Sequence, residues 1–242
     1  MTTFVTMLGF GLAVASLGNI LQPRSISVSR LKVSSQKLSC YVRDEDRDSF
    51  NATDYIPDLD SKISSCNLSG IWILYDKENY EGSTSFWMYG YNYLVNLPTE
   101  FENKVGSLRF PGAPDDWKAT SFNIYSQDFF MGEEEFAYED IPKLNIKAKS
   151  VIITGCEPWT VYLENNYEGA SRCLFPSDVE NCTPGLYPTA RSINEVIAGK
   201  LSSAKRGCQD EQQIINHHHQ ETVLDQASNG ASGILQKAGN VP

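Results

Sequence analysis

Few residues in this chain are placed where they could do chemistry. Its three histidines are consecutive, His217-His218-His219, and none precedes them. A serine or cysteine nucleophile needs a neighbouring base to take its proton, so a Ser-His or Cys-His pair would have to borrow this segment. Imidazole nitrogens also bind Zn2+, Cu2+ or Ni2+. Three adjacent residues cannot all face one ion on a regular helix or strand, so the triplet reads as tail sequence with adventitious metal affinity. The run Glu133-Glu134-Glu135, with Glu139 and Asp140 beyond it, has the charge to attract cations or mineral. Its plainer reading is a solvated strand-and-loop face. No phosphate-cradling glycine loop and no His-Glu-x-x-His occurs, and no carboxylate spacing marks a catalytic pair. The sequence predicts a protein that is not an enzyme.

The elements that must carry these residues follow from composition. The 242 residues include 20 Lys+Arg against 30 Asp+Glu, a net charge of −10. That balance speaks against nucleic acid or an anionic membrane surface as partner, since phosphate binding needs a positive field. With 41% hydrophobic residues the chain can bury a core. Its 12 Tyr, 11 Phe, 17 Gly and 11 Pro suit strands and turns better than a helical bundle. Residues 1–28 read as a signal peptide or N-terminal arm: an apolar stretch from Phe4 to Leu17, small residues at Ala13, Ala15, Ser16 and Gly18, and no charge before Arg24. A membrane anchor and a cytosolic arm are the rivals. Six cysteines, with no Cys-x-x-Cys, and three Asn-x-Ser/Thr sequons at Asn51, Asn67 and Asn181 point to an exported, secreted protein.

An internal repeat organises the middle of the chain. Trp72-Ile73-Leu74-Tyr75 leads into Asn79-Tyr80-Glu81-Gly82, and 87 residues later Trp159-Thr160-Val161-Tyr162 leads into Asn166-Tyr167-Glu168-Gly169. Between them lies Tyr125-x4-Phe130-x-Gly132. A fourth copy at Tyr41 is degenerate, with Asp46 and Asp48 in place of aromatic and glycine. A serine stands near each unit's end: Ser64 or Ser65, Ser107, Ser150 and Ser192. The unit reads as a strand, a tight glycine-bearing hairpin under stacked aromatics, two further strands, and a return strand; four strands with the last lying beside the first make a Greek key. One such unit leaves a face unburied, so units pack in pairs as sandwiches.

This pattern resembles the βγ-crystallin family, whose motif is aromatic-x4-aromatic-x-Gly with a serine near its end. The resemblance covers about residues 30–202. It implies an all-β fold of two βγ-crystallin-like Greek-key β-sandwich domains, at 29–110 and 117–202. Pro111–Asp116 is a plain linker between them, and flexible N- and C-terminal extensions flank them, the tail running over 203–242.

The family often binds calcium through Asn/Asp-Asn/Asp-x-x-Ser/Thr-Ser stretches, because calcium needs six to eight oxygens. Here Asp60 and Ser64 survive in the first stretch, with Ser61 at the second acidic position. Asn103 survives in the second, with Gly106 where the hydroxyl belongs. In the second domain Lys149 and Arg191 are read at the hydroxyl positions, where a cation repels calcium. The expectation is at most one weakly bound calcium, in the first domain, carried by Asp60, Ser64 and Asn103. The Greek key also places Cys40, on the first opening strand, beside Cys66 on its return strand, which predicts a disulfide there. The pairing of Cys156, Cys173, Cys182 and Cys208 stays open.

The function implied is a non-enzymatic secreted structural or interaction protein, a homo-oligomer or a partner of other matrix proteins. Two alternatives belong to other classes. One is a calcium-dependent matrix or mineral-associated protein; the other is a secreted defence or toxin-associated module recognising glycans or membranes.

Overall fold

A computed structural model describes residues 36–42, 49–52, 55–58, 63–193, 199–217 and 237–240. The expected signal peptide or arm lies outside the described residues, as do Asp60, His218 and His219. The strands are β1 (Lys37–Val42), β2 (Ser49–Ala52), β3 (Ile63–Tyr75), β4 (Thr84–Asn96) and β5 (Ser107–Arg109) in the first sandwich. The second holds β6 (Ser121–Tyr125), β7 (Glu134–Ala137), β8 (Ser150–Thr154), β9 (Trp159–Tyr162), β10 (Ser171–Leu174), β11 (Gly185–Tyr187) and β12 (Ser203–Arg206), with a helical turn α1 (Ala190–Ile193) before β12. A last strand, β13 (Lys237–Asn240), pairs antiparallel with the edge of β4. All ladders between strands are antiparallel, which matches the all-β Greek-key expectation.

The third strand of each Greek key crosses to the sheet of its neighbour. β6 pairs with β7 and with the return strand β8, and β8 takes β11 from the following motif on its far side. In exchange Ile141 bridges Ala204 in β12. The first sandwich repeats the trade: Asn96 of β4 stands opposite Ser65 of β3, and Ile56 bridges Leu108 in β5. Because each sheet borrows a strand, neither motif can bury its face alone.

In the first sandwich, return and opening strands fuse into the 13-residue β3, which turns the corner between layers at Gly70. Gly70 has φ +102°, and a Cβ there would come 2.5 Å from the Oε1 atom of Gln36. That same oxygen accepts the Ile71 N–H at 3.0 Å, while the Gln36 amide donates to the carbonyl of Pro111 at 2.7 Å. Gly112 N–H in turn donates 2.9 Å to Asn123 Oδ1 in the second sandwich. The Pro111–Ala113 stretch, read from sequence as a plain linker, is therefore buried and bonded at both sides.

Each sandwich has its own apolar core, centred on the buried indoles of Trp72 and Trp159. A third buried cluster joins them: Ile73, Tyr75 and Trp87 of the first pack on Tyr125, Phe130, Met131 and Ile152 of the second. All six cysteines are paired. Cys40 and Cys66 are register partners on β1 and β3, with Cα atoms 4.0 Å apart, as expected. The remaining pairs are Cys156–Cys182 and Cys173–Cys208.

The closing strand of the second sandwich runs beyond position 202. β12 lies between Ser203 and Arg206, pairs with β9 along its length, and is followed by Cys208 in a disulfide to β10. A helical segment at 211–217 continues on the same sandwich: Gln213 Oε1 accepts the Cys173 N–H at 2.9 Å, and the His217 ring stacks on Phe175 at 3.9 Å. Within the extension expected to be flexible, Ser203–Arg206 and Lys237–Asn240 are thus held by strand pairing, and Cys208, Gln213 and His217 by side-chain contacts to β10 and Phe175.

Candidate functional site

Three motifs share one hairpin geometry. After Tyr75, Tyr125 and Tyr162, the chain makes a 3-10 turn in which two consecutive residues are left-handed: Asn79 and Tyr80, Phe129 and Phe130, Asn166 and Tyr167. Two adjacent non-glycine residues at φ near +60° are costly unless the surroundings hold them. A serine on the return strand does so. Ser107 Oγ accepts the Tyr80 N–H at 3.0 Å and donates to the Lys77 carbonyl at 2.6 Å. Ser150 repeats this with Phe130 and Gln127, and Ser203 with Tyr167 and Glu164. The fourth motif's serine is Ser203 and not Ser192, because the segment carrying α1 lengthens the path between β11 and β12. Ser192 Oγ instead closes its own turn onto Thr189.

This register also relocates the calcium positions. Gly106, Lys149 and Ser202 each donate their N–H to the opening tyrosine's carbonyl, at 2.8, 2.9 and 2.9 Å. Ser202, and not Arg191, therefore occupies the hydroxyl position of the fourth motif. In the first sandwich Asn103 N–H donates 3.0 Å to the Ile63 carbonyl, so the two candidate stretches are adjacent. Ser64 Oγ donates to the Tyr41 carbonyl at 3.2 Å. A Cβ on Gly106 would lie 2.6 Å from the Lys77 carbonyl carbon, so the missing hydroxyl has no room. Among the described residues no group of three or more His, Cys, Asp or Glu could hold a metal ion.

A dense polar arrangement lies at the junction of the sandwiches. Arg109, at the end of β5, is 2% exposed. Its Nε donates 2.9 Å to the Tyr75 hydroxyl, and its Nη atoms donate to the carbonyls of Gly132 at 3.0 Å and Phe130 at 2.8 Å. The Tyr75 hydroxyl donates to the Phe130 carbonyl at 2.6 Å. Around the guanidinium stand the rings of Tyr80, Tyr125 and Tyr75, with centroids 4.6, 4.7 and 5.3 Å from Cζ. Glu134, first residue of β7, faces it with Oε2 4.0 Å from Nη1, and the same oxygen accepts the Tyr55 hydroxyl at 2.9 Å. Glu134 Oε1 and the Tyr125 hydroxyl are buried and have no hydrogen-bond partner in the structure.

Burial pushes the Glu134 carboxyl above its ordinary range, against the pull of Arg109 and the nearby Tyr125 and Tyr55 hydroxyls. Burial likewise raises Tyr55, Tyr75 and Tyr125, opposed by Arg109 in each case. An open cleft of about 540 Å3 runs beside this cluster, lined from the first sandwich by Tyr55, Tyr80 and Glu81 and from the second by Glu133, Phe136 and Ile146. What the arrangement does is brace. Every Nη donor bond from Arg109 crosses from one sandwich to a backbone carbonyl of the other.

The acidic run expected on a solvated face is thus divided. Glu134 turns inward to Arg109, while Glu135 accepts the N–H groups of Asn145 at 2.8 Å and Ile146 at 3.3 Å. Asp140 Oδ1 accepts the Arg206 N–H at 2.9 Å. Sequence reasoning assigns Arg109 no role, although its charge stands between the apolar Leu108 and Phe110 at the end of β5. Of the sequons, Asn67 lies on β3 and donates 3.1 Å to Asn92 Oδ1, and Asn181 is exposed and donates 2.7 Å to Asp178. Asn51 lies on β2.

No protein-family model and no curated protein sequence matches the chain. Among solved structures it superposes on geodin, a βγ-crystallin from Geodia cydonium, with 21% identity and a TM-score of 0.57, over 72% of this chain and 99% of that one. A domain of the non-lens protein Absent in melanoma 1 aligns at 18% identity over 38% of this chain and 91% of its own, TM-score 0.32. A βγ-crystallin from Ciona intestinalis aligns at 23% identity over 36% of this chain and 98% of its own, TM-score 0.30.

Proposed function

We infer, starting from the βγ-crystallin fold that this chain shares with geodin, that the protein is a secreted, non-enzymatic structural or interaction protein. It works as a braced two-sandwich block in an extracellular matrix or assembly, associating with further copies or with other matrix proteins. The observation that carries this reading is the complete pairing of six cysteines into three disulfides, each within one sandwich. Such pairing is stable in oxidising compartments and is removed by the thiol pools of the cytosol. Among the described residues, no helix is long and apolar enough to cross a membrane.

Expression of the full chain in secretory cells tests the reading. Protein in the medium, with no free thiol under denaturing conditions and a particle mass above one chain by light scattering, supports it. Retention in the cytosol with free thiols defeats secretion, and a strictly monomeric species at high concentration defeats self-association.

A further inference from the structure

The outer face of the first sandwich sets a few exposed apolar side chains among serines and asparagines and has a modification motif in its middle. On this face β1, β3 and β4 place Ser39, Asn67 and Leu94 in one register row, and Tyr41, Ser65 and Asn96 in the next. Cross-strand partners stand with Cβ atoms about 5 Å apart on the same side. Leu94 is 60% exposed and Tyr41 41%, while Tyr91, on the bulge where β4 passes Ser69, is 81% exposed. Leu94 thus stands in Asn67's own row and Tyr41 in the neighbouring one, with Tyr91 exposed at the adjoining bulge. Exposed apolar surface on a flat sheet promotes association between copies.

Asn67-Leu68-Ser69 is an N-glycosylation acceptor. We propose that Asn67 bears an N-linked oligosaccharide whose inner sugars cover Leu94 and Tyr91, keeping this face out of contacts between copies. This proposal rests on the secreted reading above, since the modification is made during export. In that reaction the Asn67 Nδ2 attacks the anomeric carbon of a lipid-pyrophosphate-linked oligosaccharide. The N–C bond forms, the C–O bond to pyrophosphate breaks, one amide proton leaves, and the lipid pyrophosphate departs. The product amide keeps one N–H, enough for the bond to Asn92 Oδ1 seen at 3.1 Å. Inner sugars present both hydroxyls and apolar ring faces, the latter suited to lie on tyrosine and leucine side chains.

The test uses the full chain with its own N-terminal segment, expressed in secretory eukaryotic cells. Protein from the medium and from the lysate is treated with peptide-N-glycosidase in heavy-oxygen water and mapped by mass spectrometry. The expected result is heavy oxygen at position 67 in most molecules. Unlabelled Asn67 in protein taken from the medium overturns the site while leaving secretion standing. Labelled Asn67 in protein found only in the lysate does the reverse. Unlabelled protein found only in the lysate overturns both. Light scattering then compares Asn67→Gln and Ser69→Ala with the parent and with Ser69→Thr, which keeps the acceptor motif. The two variants lacking the motif should form species at least twofold larger than the parent, with Ser69→Thr unchanged. Identical sizes for all four, or growth in Ser69→Thr as well, overturn the shielding role.

Discussion

Arg109 Nη1 stands 4.0 Å from Glu134 Oε2 across the junction of the two sandwiches, with both side chains nearly removed from solvent. Neither charge is stable there alone. Replacing Arg109 with Met should cost about 3–5 kcal/mol, because the carboxylate loses its counter-charge in a desolvated site and the Phe130 and Gly132 carbonyls lose their donors. The double variant Arg109→Met/Glu134→Gln should recover a substantial part of that loss. Denaturant titration of the four proteins in the cycle measures it; strictly additive effects would remove the coupling inferred from the geometry.

The pH dependence of the same pair has a definite sign. Burial raises the folded-state pKa of Glu134 above its unfolded value near 4.5. The folded state therefore holds the proton more tightly. The stabilising contribution is fully present below the unfolded pKa and is lost as pH rises through the folded one. Glu134→Gln should flatten this component, so the stability difference between parent and variant should shift in the variant's favour from pH 4 to pH 7. Parallel curves over that interval would show that Glu134 titrates as a solvated carboxylate.

At alkaline pH the tyrosines take over. Tyr55, Tyr75 and Tyr125 are all raised, by burial first. They stay protonated in the folded state after their unfolded counterparts ionise near 10, so their contribution is lost as pH climbs past that value. Absorbance at 295 nm should show one reversible phase, then a phase coincident with loss of near-ultraviolet circular dichroism. A single reversible phase covering all twelve tyrosines would contradict the buried cluster.

How much of this was legible depended on whether the signal was local. The hairpins could be read because a left-handed pair, an aromatic and a glycine fall within eight residues, as in Tyr75 to Gly82. Gly82 is demanded there: a Cβ would collide with Asp76 Oδ1, which accepts the Ser83 N–H at 3.0 Å. Cys40–Cys66 could be read because the Greek key alone makes those strands neighbours. Ser203 was missed because a regular spacing from Ser107 to Ser150 pointed to Ser192, and only the inserted turn at α1 breaks the period. Arg109 and Glu134 were missed as a pair because they belong to different sandwiches, and no short-range pattern encodes a contact formed when two separate cores dock.

Gly106 offers a test of the calcium reading. Gly106→Ser would supply the hydroxyl that the family's ion site uses, yet its Cβ would sit 2.6 Å from the Lys77 backbone. The variant should lose about 1–3 kcal/mol from overpacking and gain no calcium affinity over the parent by isothermal titration calorimetry. A stable Gly106→Ser protein that binds calcium tightly would mean that the Lys77–Glu78 backbone can yield, and that Asp60, Ser64 and Asn103 lacked only this oxygen.

The strand after Ser202 decides where the second sandwich ends. β9 has β10 on one side and β12 on the other, so removing β12 exposes the Trp159–Tyr162 edge along its whole length. The same cut deletes Ser203, whose hydroxyl holds the left-handed Tyr167 and the Glu164 carbonyl. It also deletes Cys208, partner of Cys173, and closing a loop of that length contributes about 3–4 kcal/mol in the chain-entropy model. These losses fall on one sheet of three strands, too small to absorb them. A chain ending after Ser202 should therefore show a free thiol at Cys173 and no cooperative unfolding of the second sandwich. A chain ending after His217, which keeps β12, the disulfide and the Gln213 contact to Cys173, should unfold cooperatively close to the parent. Thermal unfolding followed by the buried Trp159 and Trp72 indoles, with thiol counting, separates the two. Native-like melting of the chain cut at Ser202 would show that β12 is an ornament on a sandwich already complete without it.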